Sequence, residues 1–437
     1  MDEKTYCRRL EELFTRYPSV QNVGFGGAYK PGLEHMRMFC GRLGNPHCAY
    51  RTIHVAGTNG KGSVANMISS AIASKGPKVG LYTSPHILDF RERMRIIGGG
   101  TETAELISKE DVWEFISTYE KDFDELSLSF FEITTGMAFW WFKKQGVDYA
   151  VMEVGLGGRL DSTNVITPEL SIITSIGLDH CAMLGGTRAA IAGEKGGIIK
   201  PGVPAVIGSR DPETAPVFEA IAGTTGSTLI FADGSEPYGC ARISADQLDL
   251  KGDYQSENLR TVLTSLETLG IEADSLVLDA IRNTASRMAF HGRWDMISHN
   301  PDMICDIGHN PPALEKNFAQ LDSCLDSGEY SDIIIVYGVM ADKDLDGILP
   351  LMPKQASYIF VAPDTARAMK VETLYSRCLG WWAANVKDCK SLSMADSVAE
   401  GLKQAVRKAE RKKKALIYVG GSTFVVSEAI GLVESRQ

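Results

Sequence analysis

Apolar runs of strand length alternate with segments of helical periodicity along most of the chain. Residues 50–56 form one such run, and Val64, Met67 and Ile68 then recur at the spacing of one helix face. A glycine-rich segment, 57–63, lies between the two. This order of strand, loop and helix is typical of a mainly parallel sheet with helices on both faces, so we predict an α/β fold.

The same alternation continues through the first half of the chain. Further strands are predicted at 147–154 and 170–176, and helices at 111–119 and 135–142. Residues 208–252 are richer in Gly, Thr, Ser and Asp and weaker in periodicity, which predicts turns and short strands. The charged, amphipathic N-terminal segment predicts a helix that covers the first domain, with a docking face for a partner as the alternative.

A second α/β unit is predicted after Trp294, where the alternation restarts. Its strands are expected at 302–307, 333–337, 358–362 and 416–419, and its helices at 313–325 and 396–409. The chain has 437 residues, more than the roughly 250 to 300 at which a single core stops growing. Turn-forming residues cluster before the second unit, so we predict a larger, mainly parallel domain over 1–296, a linker at 297–301 and a smaller, Rossmann-like α/β domain over 302–437.

The charge balance argues against a nucleic-acid or anionic-membrane partner. The formal net charge is −10, whereas such partners are held by clustered Lys and Arg. A basic run at 411–414 follows a predicted helix, and we interpret it as a solvated helix end rather than a nucleic-acid patch. An acidic surface without large apolar patches makes a monomer the expected state.

Cysteine usage and hydropathy indicate a cytoplasmic protein. The nine cysteines are widely scattered and form no Cys-x-x-Cys pair, so neither a disulfide framework nor a thiolate metal site is predicted. Reduced thiols fit best. We also find no signal peptide and no run of about 20 apolar residues, so neither export nor a membrane span is expected.

The segment GTNGKGS at 57–63 has the features of a phosphate-binding loop, which makes the first domain P-loop-type. It follows a strand, precedes a helix and consists of small residues whose backbone N–H groups can approach phosphate oxygens. Lys61 is expected at the terminal phosphates and the Ser63 hydroxyl at Mg²⁺. The expected nucleotide contacts of the loop are Thr58, Asn59, Gly60, Lys61, Gly62 and Ser63. A merely tight glycine turn is the alternative.

Two side chains that follow predicted strands are candidate metal ligands. Glu153 closes a strand at the carboxyl end of the sheet, where ligands of such folds bind, and could supply an oxygen to Mg²⁺. His180 also follows a strand, but on the residues alone a structural histidine is the commoner outcome.

The loop differs from the standard form because Gly62 separates Lys61 from Ser63, and this variant resembles that of the Mur ligase superfamily. Downstream strings occur in one family's order: SPHI at 84–87, RERM at 91–94, SFFEITT at 129–135, EVGLGGRLDSTN at 153–164, GLDH at 177–180, EKGGIIK at 194–200, GDYQSEN at 252–258, HGR at 291–293 and DIGHNP at 306–311. Together they resemble folylpolyglutamate synthase/dihydrofolate synthase.

The resemblance implies an ATP-binding central domain with folate-binding loops over 1–296 and a glutamate-ligase domain over 302–437. It implies ATP and two Mg²⁺ ions. One ion would use Ser63 and Glu153, the other His180, with Ser84 near one of them. Lys195 corresponds to a lysine that is commonly carbamylated in this superfamily. An unmodified ammonium would repel the metal, so we expect carbamylation here too. A surface lysine paired with Glu194 is the alternative.

The resemblance also assigns catalytic and binding roles. Lys61, His180 and Lys195 would be catalytic. The remaining nucleotide contacts would be Asn258, Arg293 and Asp306, and His309 and Ser422 would place glutamate. The dihydropteroate or folate site would use Arg93, Ser129, Phe130, Phe131, Glu132, Leu160, Asp161 and Ser162. Without the resemblance, the residues themselves leave other roles open. Asp306 could be a helix cap and His309 a surface imidazole, and Phe130 and Phe131 could be core residues.

The implied activity is ATP-dependent amide formation. Phosphoryl transfer from ATP to a carboxylate of dihydropteroate or of a reduced folate would give an acyl phosphate, which the amine of L-glutamate would attack. One or both folate activities are open. Two other functions remain in play: a Mur-type ligase for another carboxylate substrate, and a nucleotide-switched protein that is not a ligase.

Overall fold

The computed structural model describes residues 3–17, 32–237, 239–386 and 390–435. The chain divides into two compact units. Unit 1 comprises Met1–Asp249 and Gln255–Phe290, and unit 2 comprises Leu250–Tyr254 and His291–Gln437. Each unit contains one mainly parallel sheet, which confirms the predicted α/β class.

The sheet of unit 1 has eight strands in the order β4-β3-β2-β5-β1-β6-β7-β8. The strands are β1 Arg51–Ala56, β2 Val79–Tyr82, β3 Met94–Gly98, β4 Thr101–Leu106, β5 Tyr149–Glu153, β6 Leu170–Ile173, β7 Ala205–Ile207 and β8 Leu229–Phe231. Strand β3 pairs antiparallel with both of its neighbours, β2 and β4, and the other pairs are parallel. The carboxyl ends of β2, β5, β1 and β6 therefore lie side by side at one edge.

Eleven α-helices of unit 1 are described. They are α1 Glu3–Arg16, α2 Glu34–Arg42, α3 Lys61–Ala73, α4 Lys109–Glu125, α5 Phe130–Gln145, α6 Cys181–Leu184, α7 Arg188–Gly196, α8 Ala215–Thr225, α9 Gln255–Thr268, α10 Ser275–Arg282 and α11 Thr284–Met288. Short 3₁₀ helices occur at Pro46–Cys48, Phe90–Arg93, Ser162–Val165, Ala232–Gly234 and Ala245–Gln247.

The central position of β1 explains its composition. With parallel neighbours on both sides, Ile53 and Val55 are 0% exposed, and Val64 and Ile68 of α3 are 0% exposed as well. A strand buried on both faces favours apolar residues, as in Ile53, Val55 and Ala56, and β1 also encloses the polar Thr52 and His54. Helix α1 covers an aromatic part of this unit, because Phe14 stacks on Phe130 with ring centroids 5.0 Å apart.

The sheet of unit 2 has six strands in the order β13-β12-β11-β14-β10-β9. They are β9 Asp295–His299, β10 Asp302–Asp306, β11 Asp332–Tyr337, β12 Ser357–Phe360, β13 Leu392–Met394 and β14 Ala415–Gly420. The helices are α12 Pro311–Asp326, α13 Leu345–Ile348, α14 Val371–Asn385, α15 Val398–Ala409 and α16 Thr423–Glu434, with a 3₁₀ turn at Leu349–Leu351. Strand β9 is antiparallel to β10, and the remaining pairs are parallel.

Two expectations differ from the structure. The segment 208–252, predicted as turns and short strands, contains the helix α8, whose Phe218 and Ala222 pack inward even though Gly and Thr weaken its pattern. Residues 297–301, predicted as a linker, lie instead in the β9–β10 hairpin of unit 2. The turn-forming residues there close a hairpin, which uses the same residue types as a linker. In the described parts of the chain, no helix combines the length and apolarity that crossing a bilayer requires.

Candidate active site

The loop at 57–63 connects β1 to α3 and is held by the segment that follows β6. The Thr58 N–H donates to the Ser175 carbonyl at 2.7 Å, and the Thr174 hydroxyl donates to the Asn59 carbonyl at 2.6 Å. A Cβ on Gly57, whose φ is +147°, would lie 1.9 Å from Thr174 Oγ1. Glycine is therefore required at this position by the close approach of the neighbouring strand end.

The N-terminus of α3 has the form of an anion site. Gly60 is the N-cap residue in the left-handed conformation, and no side chain of the described residues caps the helix. A Cβ on Gly60 would lie 2.3 Å from Asn258 Oδ1. The first N–H groups of α3 and the positive end of its dipole suit phosphate oxygens, so the residues present fit a nucleotide.

Two lysines converge on this loop. Lys61 Nζ donates to the carbonyls of Gly57 and Thr58, each at 3.1 Å, and Lys195 Nζ donates to the Gly57 carbonyl at 2.8 Å. Lys195 is 5% exposed and comes from the last turn of α7. The structure thus brings together two of the three residues predicted to be catalytic.

Burial controls the charge of Lys195. Desolvation, followed by the nearby Lys61 ammonium, lowers the pKa of its amine to about 7, while Asp179 and Asp161 oppose the shift. A substantial fraction of the amine is therefore neutral near pH 7, unlike an exposed lysine. The alternative of a surface lysine is wrong, and Glu194 pairs with Arg159 at 2.8 Å instead.

Glu153 and Ser84 also meet at the carboxyl edge. Glu153 is the last residue of β5 and 3% exposed, and its Oε2 accepts a hydrogen bond from the Ser84 backbone N–H at 2.9 Å. Arg93 is 3% exposed, and desolvation lowers the pKa of its guanidinium while Tyr82 and Glu153 oppose this. Arg93 Nε donates to His86 Nδ1 at 2.9 Å.

His180 lies in the loop after β6 at the start of α6, with a left-handed φ of +53°. Its Nε2 lies 3.7 Å from Asp179 Oδ2. Asp179 also interacts electrostatically with Lys195. It was not predicted from the sequence as a site residue, although it directly precedes His180. It lies in the GLDH string, so its place in that string was the available signal.

The oxygen donors Glu153 and Ser63 among the predicted metal ligands fit Mg²⁺ in type, whereas the His180 nitrogen is a less usual ligand for it. Glu153 offers a carboxylate, Ser63 a hydroxyl and His180 an imidazole, but across the described ranges no three His, Cys, Asp or Glu side chains form a ready-made metal cluster. Mg²⁺ is usually held by one or two carboxylates together with substrate phosphates and waters, so this sparse donor set suits a metal that arrives with a nucleotide.

Ser63 is linked to the start of α9. Gln255 Nε2 donates to Ser63 Oγ at 3.2 Å, and Asn258 Nδ2 donates to Gln255 Oε1 at 2.8 Å. Asn258 therefore lies beside the loop, where it was predicted. Gln255 was not among the predicted site residues, although it belongs to the same string, and its 0% exposure shows that it is fully buried.

Several residues predicted to bind the pterin substrate have structural partners. Ser129 and Glu132 form a capping box at the start of α5, where the Ser129 hydroxyl and backbone N–H both donate to Glu132 Oε2 at 2.8 Å. Phe130 is 1% exposed and lies in the hydrophobic core, as the alternative for it had allowed. Phe131 is only half-buried and packs on Tyr82.

The turn at 160–162 is organised by Asp161. Its Oδ2 accepts from the N–H groups of Gly155 and Leu156, each at 3.0 Å, and its Oδ1 accepts from the Thr163 N–H at 3.0 Å. Burial raises the pKa of this carboxyl, and these hydrogen bonds oppose the rise. Leu160 is half-buried and Ser162 is buried in the same turn. Asp161 thus holds the loop that follows Glu153.

In unit 2, Asp306 ends β10 and is 3% exposed. It was predicted to contact the nucleotide. Its carboxylate accepts from four donors of its own unit: Tyr254 OH at 2.6 Å, Trp294 N at 2.9 Å, Gly308 N at 2.7 Å and Asn317 Nδ2 at 2.8 Å. The helix-cap alternative is wrong, because Asn310 caps α12.

His309 and Ser422 lie beyond the ends of the adjacent parallel strands β10 and β14. His309 Nδ1 is 3.0 Å from the Ile307 carbonyl, so Nδ1 carries the proton and, in the neutral ring, Nε2 is an acceptor. Ser422 is 3% exposed and its Oγ caps α16 through the Val425 N–H at 3.2 Å. Arg293 is half-buried and donates from Nη1 to the Gly292 carbonyl at 3.1 Å.

Comparison with known proteins identifies relatives along nearly the whole chain. The family model "Mur ligase, glutamate ligase domain" matches residues 292–423. The folylpolyglutamate synthase of Lacticaseibacillus casei is 35% identical over 75% of this chain and 80% of its own length. The dihydrofolate synthase/folylpolyglutamate synthase of Escherichia coli is 30% identical over 93% of this chain and 92% of its own length. A longer relative is the probable bifunctional folylpolyglutamate synthase/dihydropteroate synthase of Haloferax volcanii, which is 31% identical over 92% of this chain. The present chain spans only 48% of the length of that relative.

Solved structures have the same fold. Mycobacterium tuberculosis folylpolyglutamate synthase complexed with ADP superposes with a TM-score of 0.84 at 26% identity over 99% of both chains. E. coli FolC in complex with DHPP and ADP gives 0.82 at 27% identity over 99% of this chain and 98% of that one. A bifunctional folylpolyglutamate synthase/dihydrofolate synthase with Mn, AMPPNP and L-glutamate bound gives 0.76 at 26% identity over 93% and 95%. The sequence strings, both sheets and these relatives agree, and the chain belongs to the folylpolyglutamate synthase/dihydrofolate synthase family of Mur ligases.

Proposed function

We propose that this chain is an ATP-dependent ligase that joins L-glutamate to a carboxylate of dihydropteroate or of a reduced folate. The observation that carries the proposal is the meeting of Lys61 and Lys195 at the Gly57 carbonyl, at the carboxyl edge where Glu153 also ends its strand. The ADP, DHPP and L-glutamate bound in related structures support the same ligands here.

The reaction needs no side-chain nucleophile. The substrate carboxylate oxygen attacks the γ-phosphorus of ATP, a new O–P bond forms, and ADP leaves with the electrons of the broken bond. The uncharged amine of L-glutamate then attacks the acyl carbon and an amide C–N bond forms. The nitrogen loses one proton to solvent or to the phosphate, and inorganic phosphate leaves with the electrons of the broken C–O bond. Catalysis is a matter of positioning and of neutralising charge on transferred phosphate oxygens.

Lys61 is proposed to exchange its two carbonyl partners for phosphate oxygens when nucleotide binds. Both present bonds are to neutral acceptors, and a phosphate oxygen is a stronger partner for an ammonium. Ser63 and Glu153 would hold one divalent ion and His180, with Ser84 nearby, the other. Bound Mg²⁺ supplies positive charge against the phosphate oxygens.

Lys195 is proposed to be carbamylated. The ammonium first gives a proton to solvent, and the neutral amine then attacks CO₂. An N–C bond forms, one C=O electron pair moves onto oxygen and the nitrogen loses a second proton to solvent, so that the original cation becomes an anionic carbamate. The lowered pKa of about 7 supports this step, because only the unprotonated amine is a nucleophile. The resulting carboxylate can complement His180 as an oxygen ligand.

Replacing Lys195 tests the carbamate. We expect Lys195→Ala to lose ligase activity by about 100-fold or more, because the second metal would lack its anionic ligand. Added acetate is expected to restore part of the activity, whereas Lys195→Arg stays inactive. Activity is measured as phosphate release, and Lys200→Ala is the control, since among the residues that the structure describes Lys200 Nζ donates only to the Asn164 carbonyl, at 3.0 Å. An Ala variant with full activity contradicts the carbamate.

Residues of unit 2 are proposed to bind L-glutamate, and the remaining nucleotide contacts are proposed to come from Asn258 of unit 1 and from Arg293 and Asp306 of unit 2. His309 Nε2 and the Ser422 hydroxyl lie beyond adjacent strand ends, and we propose that they help to place L-glutamate. Asn258, Arg293 and Asp306 keep their predicted role toward the nucleotide. For Asp306 this role is indirect, because its four donors already occupy the carboxylate and fix the loop that carries His309.

We further propose a cytoplasmic location. All eight cysteines in the described part of the chain are free thiols, as expected in a reducing compartment.

Phosphate release decides among the candidate functions. The wild-type chain is incubated with ATP and Mg²⁺ and with dihydropteroate, tetrahydrofolate or a UDP-muramyl substrate, each with and without L-glutamate. We expect release that depends on both a pterin substrate and glutamate. Release with the UDP-muramyl substrate alone would indicate another Mur-type ligase, and slow release that ignores every acceptor would indicate a nucleotide switch.

A further inference from the structure

A buried histidine lies beneath the candidate site without a role in the proposed chemistry. His54 is in the middle of β1, between β5 and β6, and is 0% exposed. Burial lowers the pKa of its imidazole to about 3, so the ring is neutral. A polar ring in a central strand is costly unless it is hydrogen-bonded, so the one hydrogen-bond partner of His54 among the described residues is informative.

The direction of the hydrogen bonds around His54 is determined. His54 Nε2 lies 2.8 Å from Thr163 Oγ1, and the Thr163 hydroxyl donates to Asp161 Oδ1. Three backbone N–H groups donate to Asp161 and favour its ionised form, which only accepts, so the single hydroxyl hydrogen of Thr163 goes to Asp161. Thr163 Oγ1 must then accept from His54, which carries its proton on Nε2. Its Nδ1 is buried and has no partner among the described residues.

The series of hydrogen bonds from His54 through Thr163 ends at the carboxylate of Asp161, which holds the glycine-rich loop that begins at Gly155. Asp161 also binds the backbone N–H groups of Gly155 and Leu156. This loop has little freedom, because a Cβ on Gly155 would lie 2.4 Å from the ring of Phe131 and a Cβ on Gly158 would lie 2.9 Å from the carbonyl of Lys195. A shift of the loop would therefore move its contacts with both neighbours.

We propose that His54 is a positioning residue for the ligation, acting through Thr163 and Asp161 to fix the 155–162 loop between Phe131 and Lys195. The inference rests on the proposed function. It adds the residues that hold in place the loop where the pterin substrate is proposed to bind. Hydrogen bonds in such a low-dielectric chain strengthen one another, so a donor at one end affects the carboxylate at the other. His54 and Thr163 are both 0% exposed, so their proposed effect on the substrate is indirect.

Two substitutions of His54 distinguish this role from simple packing. The amide nitrogen of Gln reaches about as far as Nε2, whereas that of Asn reaches only about as far as Nδ1. We expect His54→Gln to retain kcat/KM for the pterin substrate within about threefold and His54→Asn to lose about tenfold or more. The KM for ATP is expected to change less than about twofold in both, since the nucleotide loop is held by other residues.

Thr163 supplies the second test and a matched control. Thr163→Val keeps the shape but removes the hydroxyl, and we expect it to lose about tenfold in kcat/KM for the pterin substrate, with Thr163→Ser restoring most of it. Thr284 is also 0% exposed in unit 1, and its hydroxyl donates to the Ala280 and Ile281 carbonyls. Thr284→Val is expected to lower Tm similarly without changing the kinetics.

The outcomes separate the inference from the function on which it rests. A wild-type chain that releases no phosphate with dihydropteroate or tetrahydrofolate and glutamate overturns the proposed function. An active wild type, with Thr163→Val kinetically like Thr284→Val or His54→Asn like His54→Gln, overturns the positioning role alone. If His54→Asn does not fold, the Thr163 series decides the matter.

Discussion

Burial sets the protonation of individual side chains around the candidate site. Desolvation lowers the pKa of both Lys195 and His86, but the consequence differs between the two side chains. A lowered pKa makes the Lys195 amine available for chemistry near neutral pH, whereas His86 is held neutral between the rings of Phe14 and Phe90. Desolvation, followed by the charge of Arg93, lowers the pKa of His86 to about 3.

His86 is expected to make the protein acid-sensitive. The unfolded chain binds a proton at His86 below about pH 6.5, whereas the folded chain binds one only near pH 3. Between these values the unfolded state carries more protons, so stability falls as the pH falls. At pH 5 the loss from this residue is about 2 kcal/mol relative to pH 7.

Denaturant unfolding between pH 7 and 5 checks this expectation. His86→Asn keeps an acceptor for Arg93 but cannot titrate, so its free energy of unfolding is expected to fall less steeply than that of the wild type. The control is His299→Asn, because the side chain of His299 is 82% exposed. Equal slopes for the wild type and His86→Asn would show that His86 does not titrate as described.

At the scale of elements, the junction of β1, its loop and α3 depends on glycines for two separable reasons. A positive φ favours glycine at both Gly60 and Gly226, with values of +87° and +65°. Only Gly60 is also crowded, since a Cβ there would lie 2.3 Å from Asn258 Oδ1, whereas nothing lies within 4 Å of a Cβ on Gly226. Backbone strain and close approach can therefore be tested apart.

Alanine at the two positions is expected to give different results. Both variants should lose about 1 kcal/mol of stability, because each places an alanine in the left-handed region. Gly60→Ala should also displace Asn258 and the N-terminus of α3, and weaken ADP binding by about tenfold or more. Calorimetric titration with Mg²⁺-ADP measures this, and equal affinity in the two variants contradicts the assignment of the loop.

At the scale of the whole molecule, the chain builds two separate cores. Buried residues of unit 1 gather on both faces of its eight-stranded sheet, and those of unit 2 form their own cluster around β11, β12 and β14. Three backbone crossings link the units, after Asp249, Tyr254 and Phe290. A ligand of unit 1 therefore acts first on the stability of that unit.

Nucleotide binding is expected to stabilise unit 1. Mg²⁺-ADP at about 100 times its Kd should raise the free energy of unfolding by about 2.7 kcal/mol. Hydrogen exchange of β1 and β5 amides measures the effect. Lys61→Met is expected to reduce the protection at the same ADP concentration, whereas Lys75→Met, just beyond the other end of α3, should not, because Lys75 pairs with Asp274. Equal protection in both variants would remove Lys61 from the nucleotide site.

Periodicity and motif spacing were sufficient for much of the fold. The strand at β1, the loop at 57–63, α3 and the alternation of unit 2 follow from local apolar patterns, since a buried parallel strand and an inward helix face each have their own period. The helix α8 and the unit boundary were not recovered, because turn-forming residues at 208–252 and 297–301 serve helices and hairpins as well as loops.

Residue type and order along the chain alone determined the α/β class, the phosphate-type loop and the family strings, because these depend on local sequence. Tertiary structure decided which of those residues meet. It placed Lys195 at the Gly57 carbonyl, enclosed Asp306 with four donors, put Phe130 in the core and ran a hydrogen-bond chain from His54 to Asp161. Burial and hydrogen-bond direction arise only when distant segments pack together, and they set the charge and orientation on which the chemistry depends.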